Sequence, residues 1–158
     1  MSRGFTLVEL LIVIVIVGII AAIAAPGMND LVASTSVRTA SSDFYAALAA
    51  ARSEAIKRRT SVSVKPVSTD WKNGWTVEDG AGHVFQKADA LSTRVVVSGA
   101  ATAISYGMNG RISSGTAQTL TFYSASSPTV VARCVGADTN GMPRVRMDTN
   151  HDASDGCN

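Results

Sequence analysis

Histidine is almost missing from this chain. Two occur in 158 residues, His83 and His151, which leaves next to nothing from which to build a histidine-based triad or a zinc site. There is no G-x-S-x-G elbow, phosphate-binding loop, H-E-x-x-H pair or C-x-x-C pair, so neither the common hydrolase nor the common nucleotide or metal chemistries have a foothold. Two solitary histidines without a chemical task are the expectation, and no enzyme is expected. Charge is also sparse: 16% of residues carry one and the net is +2, too little to imply a strongly acidic partner. Its distribution is uneven. Arg38, Arg52, Lys57, Arg58, Arg59, Lys65 and Lys72 lie in the first half, while Asp148, Asp152 and Asp155 crowd the end. No internal repeat is found, and the length suits one domain with a modest core.

Aliphatic side chains, by contrast, are concentrated at one end. From Phe5 to Ala25 only Thr6 and Glu9 are polar, and about 20 such residues span a bilayer as a helix. A carboxylate inside such a run costs at least about 2.5–3.5 kcal/mol, so it marks function and needs a partner. The order of features also departs from a secretory signal, where the small-residue cleavage site follows the apolar core. Here Gly4 precedes it. Cutting after Gly4 leaves the helix attached and creates an amine at Phe5, one helical turn from Glu9. Arg3 is the only charge before the run, which predicts a cytoplasmic N-terminus and an exported remainder. Cys134 and Cys157 then lie where an oxidising compartment favours a disulfide.

Gly4-Phe5-Thr6-Leu7-Val8-Glu9 resembles the class III signal of type IV pilins and of the pseudopilins of type II secretion. The resemblance implies Gly4 before the scissile bond, Phe5 as an N-methylated terminus, Glu9 paired with the terminal amine of a neighbouring subunit, and a helix kink at Pro26. It implies as partners a prepilin peptidase and methyltransferase, the inner membrane, and other major and minor pilins. The expected organisation is a leader over 1–4, a transmembrane and assembly half-helix over 5–28, and a globular domain over 29–158 that is helical to 59 and β-rich beyond.

Within that domain, Val37, Ala40, Phe44, Ala47, Leu48, Ala51 and Ala55 recur at helical spacing, giving an apolar stripe that can lie on a sheet. Arg38, Arg52, Glu54 and Lys57 fall to the solvated side or to neighbouring subunits. Pro26-Gly27 predicts a bend or local melting between the two half-helices. After Thr60 the period drops to two. Strands are expected around Ser61–Val64, Trp75–Val77, Arg94–Val97, Thr119–Tyr123 and Thr129–Val131, separated by turns at Asn73-Gly74, Asp79-Gly80, Asn109-Gly110 and Asn140-Gly141. The fold class that follows is α+β: a long N-terminal helix packed on antiparallel sheets. Trp71 and Trp75 are expected in the core and hairpin packing.

Ala51-Arg52-Ser53-Glu54-Ala55-Ile56, then Trp71-Lys72-Asn73-Gly74-Trp75 and Asp79, are similar to the FimT/FimU minor pilins and the GspH minor pseudopilins. That narrower resemblance implies a low-abundance subunit that primes a filament or caps its tip. Two further features point to ligands. Asp148, Asn150, Asp152 and Asp155 place oxygen donors in a short loop as a calcium site would, although Ala153 stands where an EF-hand needs glycine. Arg144 and Arg146, two apart in a strand, share one face, and some FimT-like pilins bind DNA through a Gly-Arg-x-Arg signature whose glycine is Pro143 here. Three functions stay open: a minor pilin of a type IV pilus, a minor pseudopilin of type II secretion, and a DNA receptor for natural transformation. No cofactor is expected apart from that calcium.

Overall fold

A computed structural model of the chain describes residues 6–99, 102–150, 152 and 157, with the backbone alone over 23–27. Gly4, Phe5, His151 and Asp155 lie outside the described residues, as does the side chain of Pro26.

One helix dominates the molecule. α1 runs over Leu7–Arg58, 52 residues, and ends in a left-handed cap at Arg59 (φ 53°) whose N–H returns to the Ala55 carbonyl. The melting expected at Pro26-Gly27 does not occur, because the helical backbone passes through both residues. Proline forfeits one hydrogen bond, yet its fixed φ is itself compatible with the helix. Among the described residues no helix is long and apolar enough to cross a membrane.

Two four-stranded sheets receive the second half of the helix. The first has the order β3-β2-β1-β5 and the second β4-β6-β7-β8, where β1 is Val62–Pro66, β2 Trp75–Asp79, β3 Val84–Ala88, β4 Val95–Ser98, β5 Ile104–Tyr106, β6 Gln118–Ser124, β7 Arg133–Ala137 and β8 Pro143–Met147. Every pairing between strands is antiparallel, so the sheets can bury one face and leave the other to water. The register aligns Val64 with Val77 and Ile104, Val62 with Tyr106, and Leu120 with Val135. These inward residues are fully buried.

Every residue of the predicted helical stripe is buried. Phe44 is its centre. Its ring meets Trp71 and Trp75 edge-on at 5.3 and 5.1 Å and lies tilted at 5.5 Å from Phe122 of the second sheet. One side chain thus ties the helix to both sheets, and both tryptophans belong to the core.

Three expectations need correction. Thr129–Val131 is a turn rather than a strand: Val130 N–H bonds back to Ser127 and the Thr129 hydroxyl is taken by Asp30 on the helix, so β-branched composition loses to local hydrogen bonding. β3 and β5 were not expected. The first is largely exposed, with only Phe85 and Ala88 partly buried against the core, and the second has only three residues, so the first lacks a clean alternation and the second is too short to display one. The third correction concerns Arg52, described below.

Candidate functional site

Three regions carry the candidate functional residues. At the N-terminus, Glu9 closes a capping box on its own helix. Its Oε2 accepts the backbone N–H and the hydroxyl of Thr6, each at 3.0 Å, while the Thr6 hydroxyl accepts the Glu9 N–H at 3.2 Å. Two of the orphan donors of the helix end are satisfied in this way. The acid therefore has a local task that the sequence reading missed, although Thr6 three residues before Glu9 is the signature of such a box. Behind it every large apolar side chain from Leu7 to Ile20 is exposed, Val13 least at 48% and Leu7 most at 78%.

At the other end of α1, the Ala51–Ile56 motif has a structural explanation. Ala51 and Ala55 are buried against the sheets. Glu54 pairs with Arg58 and, more loosely, with Lys57 at 3.7 Å, and the Arg58 hydrogen bond holds its carboxyl below the usual range. The Arg58 guanidinium lies 4.5 Å from the centre of the Phe85 ring, a cation–π contact that pins the exposed strand β3 to the helix end. Arg52, expected on the solvated side, is instead half-buried. Its Nε donates to the Gly110 carbonyl at 3.1 Å and its Nη1 reaches the Met142 sulfur. The 107–110 and 138–142 turns thus meet under one guanidinium. Gly110 (φ 71°) and Gly141 (φ 80°) make that contact possible: a Cβ at Gly141 would run into the Gly110 carbonyl, and one at Gly110 into Ile56.

The C-terminal region gathers the remaining candidates. Cys134 on β7 is bonded to Cys157, with Cα atoms 5.8 Å apart across 23 positions. For a loop of that size the chain-entropy estimate is about 3 kcal/mol. Reduction of the full-length protein in detergent should therefore lower its unfolding free energy by about that amount in a urea titration; an unchanged midpoint in dithiothreitol would show that the bond adds nothing to stability.

Arg144 and Arg146 both lie exposed on the edge strand β8. They are not equivalent. Arg144 Nη2 pairs with Asp138 at 3.0 Å. Asp138 also accepts the backbone N–H groups of Met142 and Asn140, and the Met142 bond foremost, with the arginine, holds its carboxyl below the usual range. The surface pair with Asp138 sets Arg144 apart from Arg146, so the two would not contribute equally to a phosphate grip, which is the sum of many such charges. Asp148 is buried, and Asn150 and Asp152 follow it in a loop. Among the described residues no group of three or more histidine, cysteine or acidic side chains is placed to hold a metal. His83 is exposed beside Phe85 on the β2–β3 turn.

With this geometry in hand, the chain can be set beside known proteins. The family model described as type II transport protein GspH matches residues 40–141, and that of the prokaryotic N-terminal methylation motif matches residues 1–25. A fimbrial protein of Pseudomonas aeruginosa is 42% identical over 85 residues, covering 51% of this chain and 55% of the relative. A type IV major alpha-pilin of Moraxella bovis is 37% identical over 72 residues, covering 46% and 45%. The chain thus spans about half the length of these curated relatives. In structure, the type IV minor pilin FimU of P. aeruginosa superposes with a TM-score of 0.58 at 19% identity, covering 75% of this chain and 90% of that one, which shows a shared fold of long helix and two antiparallel sheets.

Proposed function

This chain belongs to the GspH family of type II transport proteins, and on that premise we propose that it is a minor pilin of a type IV pilus that primes assembly and forms part of the filament tip. The observation that carries the reading is the contrast along α1. Its second half buries an apolar stripe on this chain's own sheets, while from Leu7 to Ile20 every large aliphatic side chain is exposed. A helix apolar all round is made to be surrounded, by lipid and then by other helices.

In this reading the leader 1–4 is removed by a prepilin peptidase, Phe5 is methylated, and residues 5–28 hold the subunit in the inner membrane with its N-terminus cytoplasmic and residues 29–158 in the periplasm. Extraction into the filament then moves the helix from lipid into a bundle of other pilins, where Glu9 meets the terminal amine of a neighbour. The role is structural, without catalysis. Support for a pilus comes from the fimbrial relatives and the FimU fold; support for the alternative, a minor pseudopilin of type II secretion, comes from the description of the GspH family itself.

A deletion strain of the source bacterium separates the two. Loss of the chain should cut the number of surface filaments at least about tenfold while leaving type II secretion intact, since a priming defect of only about 1.4 kcal/mol already amounts to that factor. Normal piliation with retained exoproteins would transfer the assignment to the secretion system.

A further inference from the structure

We propose that the loop after β8 is a calcium site in which Asp148, Asn150 and Asp152 supply the side-chain ligands. The inference starts from Asp148, which is only 3% exposed although ionised aspartates are almost never buried unpaired. Its Oδ1 accepts the Asn150 N–H at 3.1 Å, so the carboxylate is turned into the loop. Its Oδ2 is buried and has no hydrogen-bond partner. No ion pair reaches the residue among the described residues. A buried carboxylate oxygen with neither donor nor counter-charge is among the costliest arrangements a folded chain can hold. A bound cation removes that cost.

The chemistry of the loop selects the ion. Asp148, Asn150 and Asp152 sit at alternate positions and offer only hard oxygen donors, the ligand type of calcium, whose loose geometry lets water complete the shell. Thiolate, the soft ligand that zinc or copper would take, is not on offer, since both cysteines are consumed in the disulfide. Magnesium asks for a small, near-octahedral cage. Both ends of the loop are anchored: the Asp148 N–H bonds to the Ala132 carbonyl at 3.0 Å, and Cys157 is tied to β7 through Cys134. The ligands are therefore partly ordered before the ion arrives, which lowers the entropic cost of binding. Two carboxylates and one amide suggest an affinity in the range of extracellular modules, about 10⁻⁴–10⁻³ M.

The test uses the full chain in detergent micelles, stripped with EDTA and melted with and without about 10 mM calcium chloride. The wild type should gain roughly 3–8 °C in Tm, by mass action on the folded state at that affinity. Asp148→Asn and Asp152→Asn should each lose that gain, and Asp148→Asn should melt in EDTA at or above the wild type because the unpaired charge is gone. If Asp148→Asn fails to fold, Asp152→Asn carries the comparison. A wild type indifferent to calcium would overturn the proposal. The same gain in both variants would place the ion elsewhere, and the same gain with magnesium would overturn the choice of calcium.

Discussion

Phe44→Ala is expected to cost the globular half about 3–5 kcal/mol, the range for truncating a fully buried aromatic. The side chain has no exposed surface and its ring touches Trp71, Trp75 and Phe122, so the substitution opens a cavity between the helix and both sheets and breaks three aromatic contacts at once. Against a total stability of about 5–15 kcal/mol, that loss leaves a marginal fold. Tyr45, the next residue along the helix, is 40% exposed, and Tyr45→Ala should cost under about 0.5 kcal/mol as an ordinary surface change. Urea unfolding of the two variants, followed by tryptophan fluorescence, checks the contrast, because Trp71 and Trp75 report on the packing that Phe44 provides. Similar small losses in both would mean that the helix does not organise the sheets as described.

Glu9→Ala should leave the subunit in the membrane and fall out of filaments, with recovery in sheared filaments down at least about tenfold. The magnitude follows from the cost of an unpaired buried charge. On the proposed pairing, loss of Glu9 leaves the terminal amine of the neighbour without its counter-ion, and several kcal/mol of penalty translate into one or more factors of ten. The capping box offers a competing explanation, since Glu9 also holds Thr6 and losing a cap costs about 0.5–2 kcal/mol. Two further variants separate the roles. Glu9→Gln keeps a side chain able to close the box but removes the charge, and it should fail like Glu9→Ala. Thr6→Ala breaks the box but keeps the acid, and it should assemble close to wild type. The opposite ranking, with Glu9→Gln assembling and Thr6→Ala failing, would make Glu9 a helix cap and nothing more.

How much of this was legible in the sequence depended on whether a residue's role is local. The stripe from Val37 to Ala55 could be read because helical spacing alone puts those residues on one face. Val62–Val64 and Trp75–Val77 could be read because one face of each strand is buried and the other only partly so, and Thr119–Tyr123 because apolar and hydroxyl residues alternate along it even though Thr121 is buried too. β3 could not, since it is a largely exposed edge strand in which only Phe85 and Ala88 are partly buried. Arg52 could not either: its partners lie 58 and 90 positions away, and composition makes an arginine in a helix look solvated. Asp148 is the sharpest case. Its acidic neighbours read as a turn or a metal loop, but its burial is a tertiary feature that no spacing in the sequence announces. At the N-terminus the reverse held: the leader pattern spoke clearly, whereas the local capping geometry of Thr6 and Glu9 was overlooked behind the larger question of a charge in an apolar run.

Processing at Gly4 and assembly through the exposed half of α1 together make up the central claim, and mass spectrometry of the chain recovered from sheared, purified filaments tests both in one measurement. The expected result is a substoichiometric subunit whose N-terminal peptide begins at N-methylated Phe5, with residues 1–4 gone. A chain beginning at Met1 in those filaments, or a processed chain found in the membrane and never in the filaments, would contradict it.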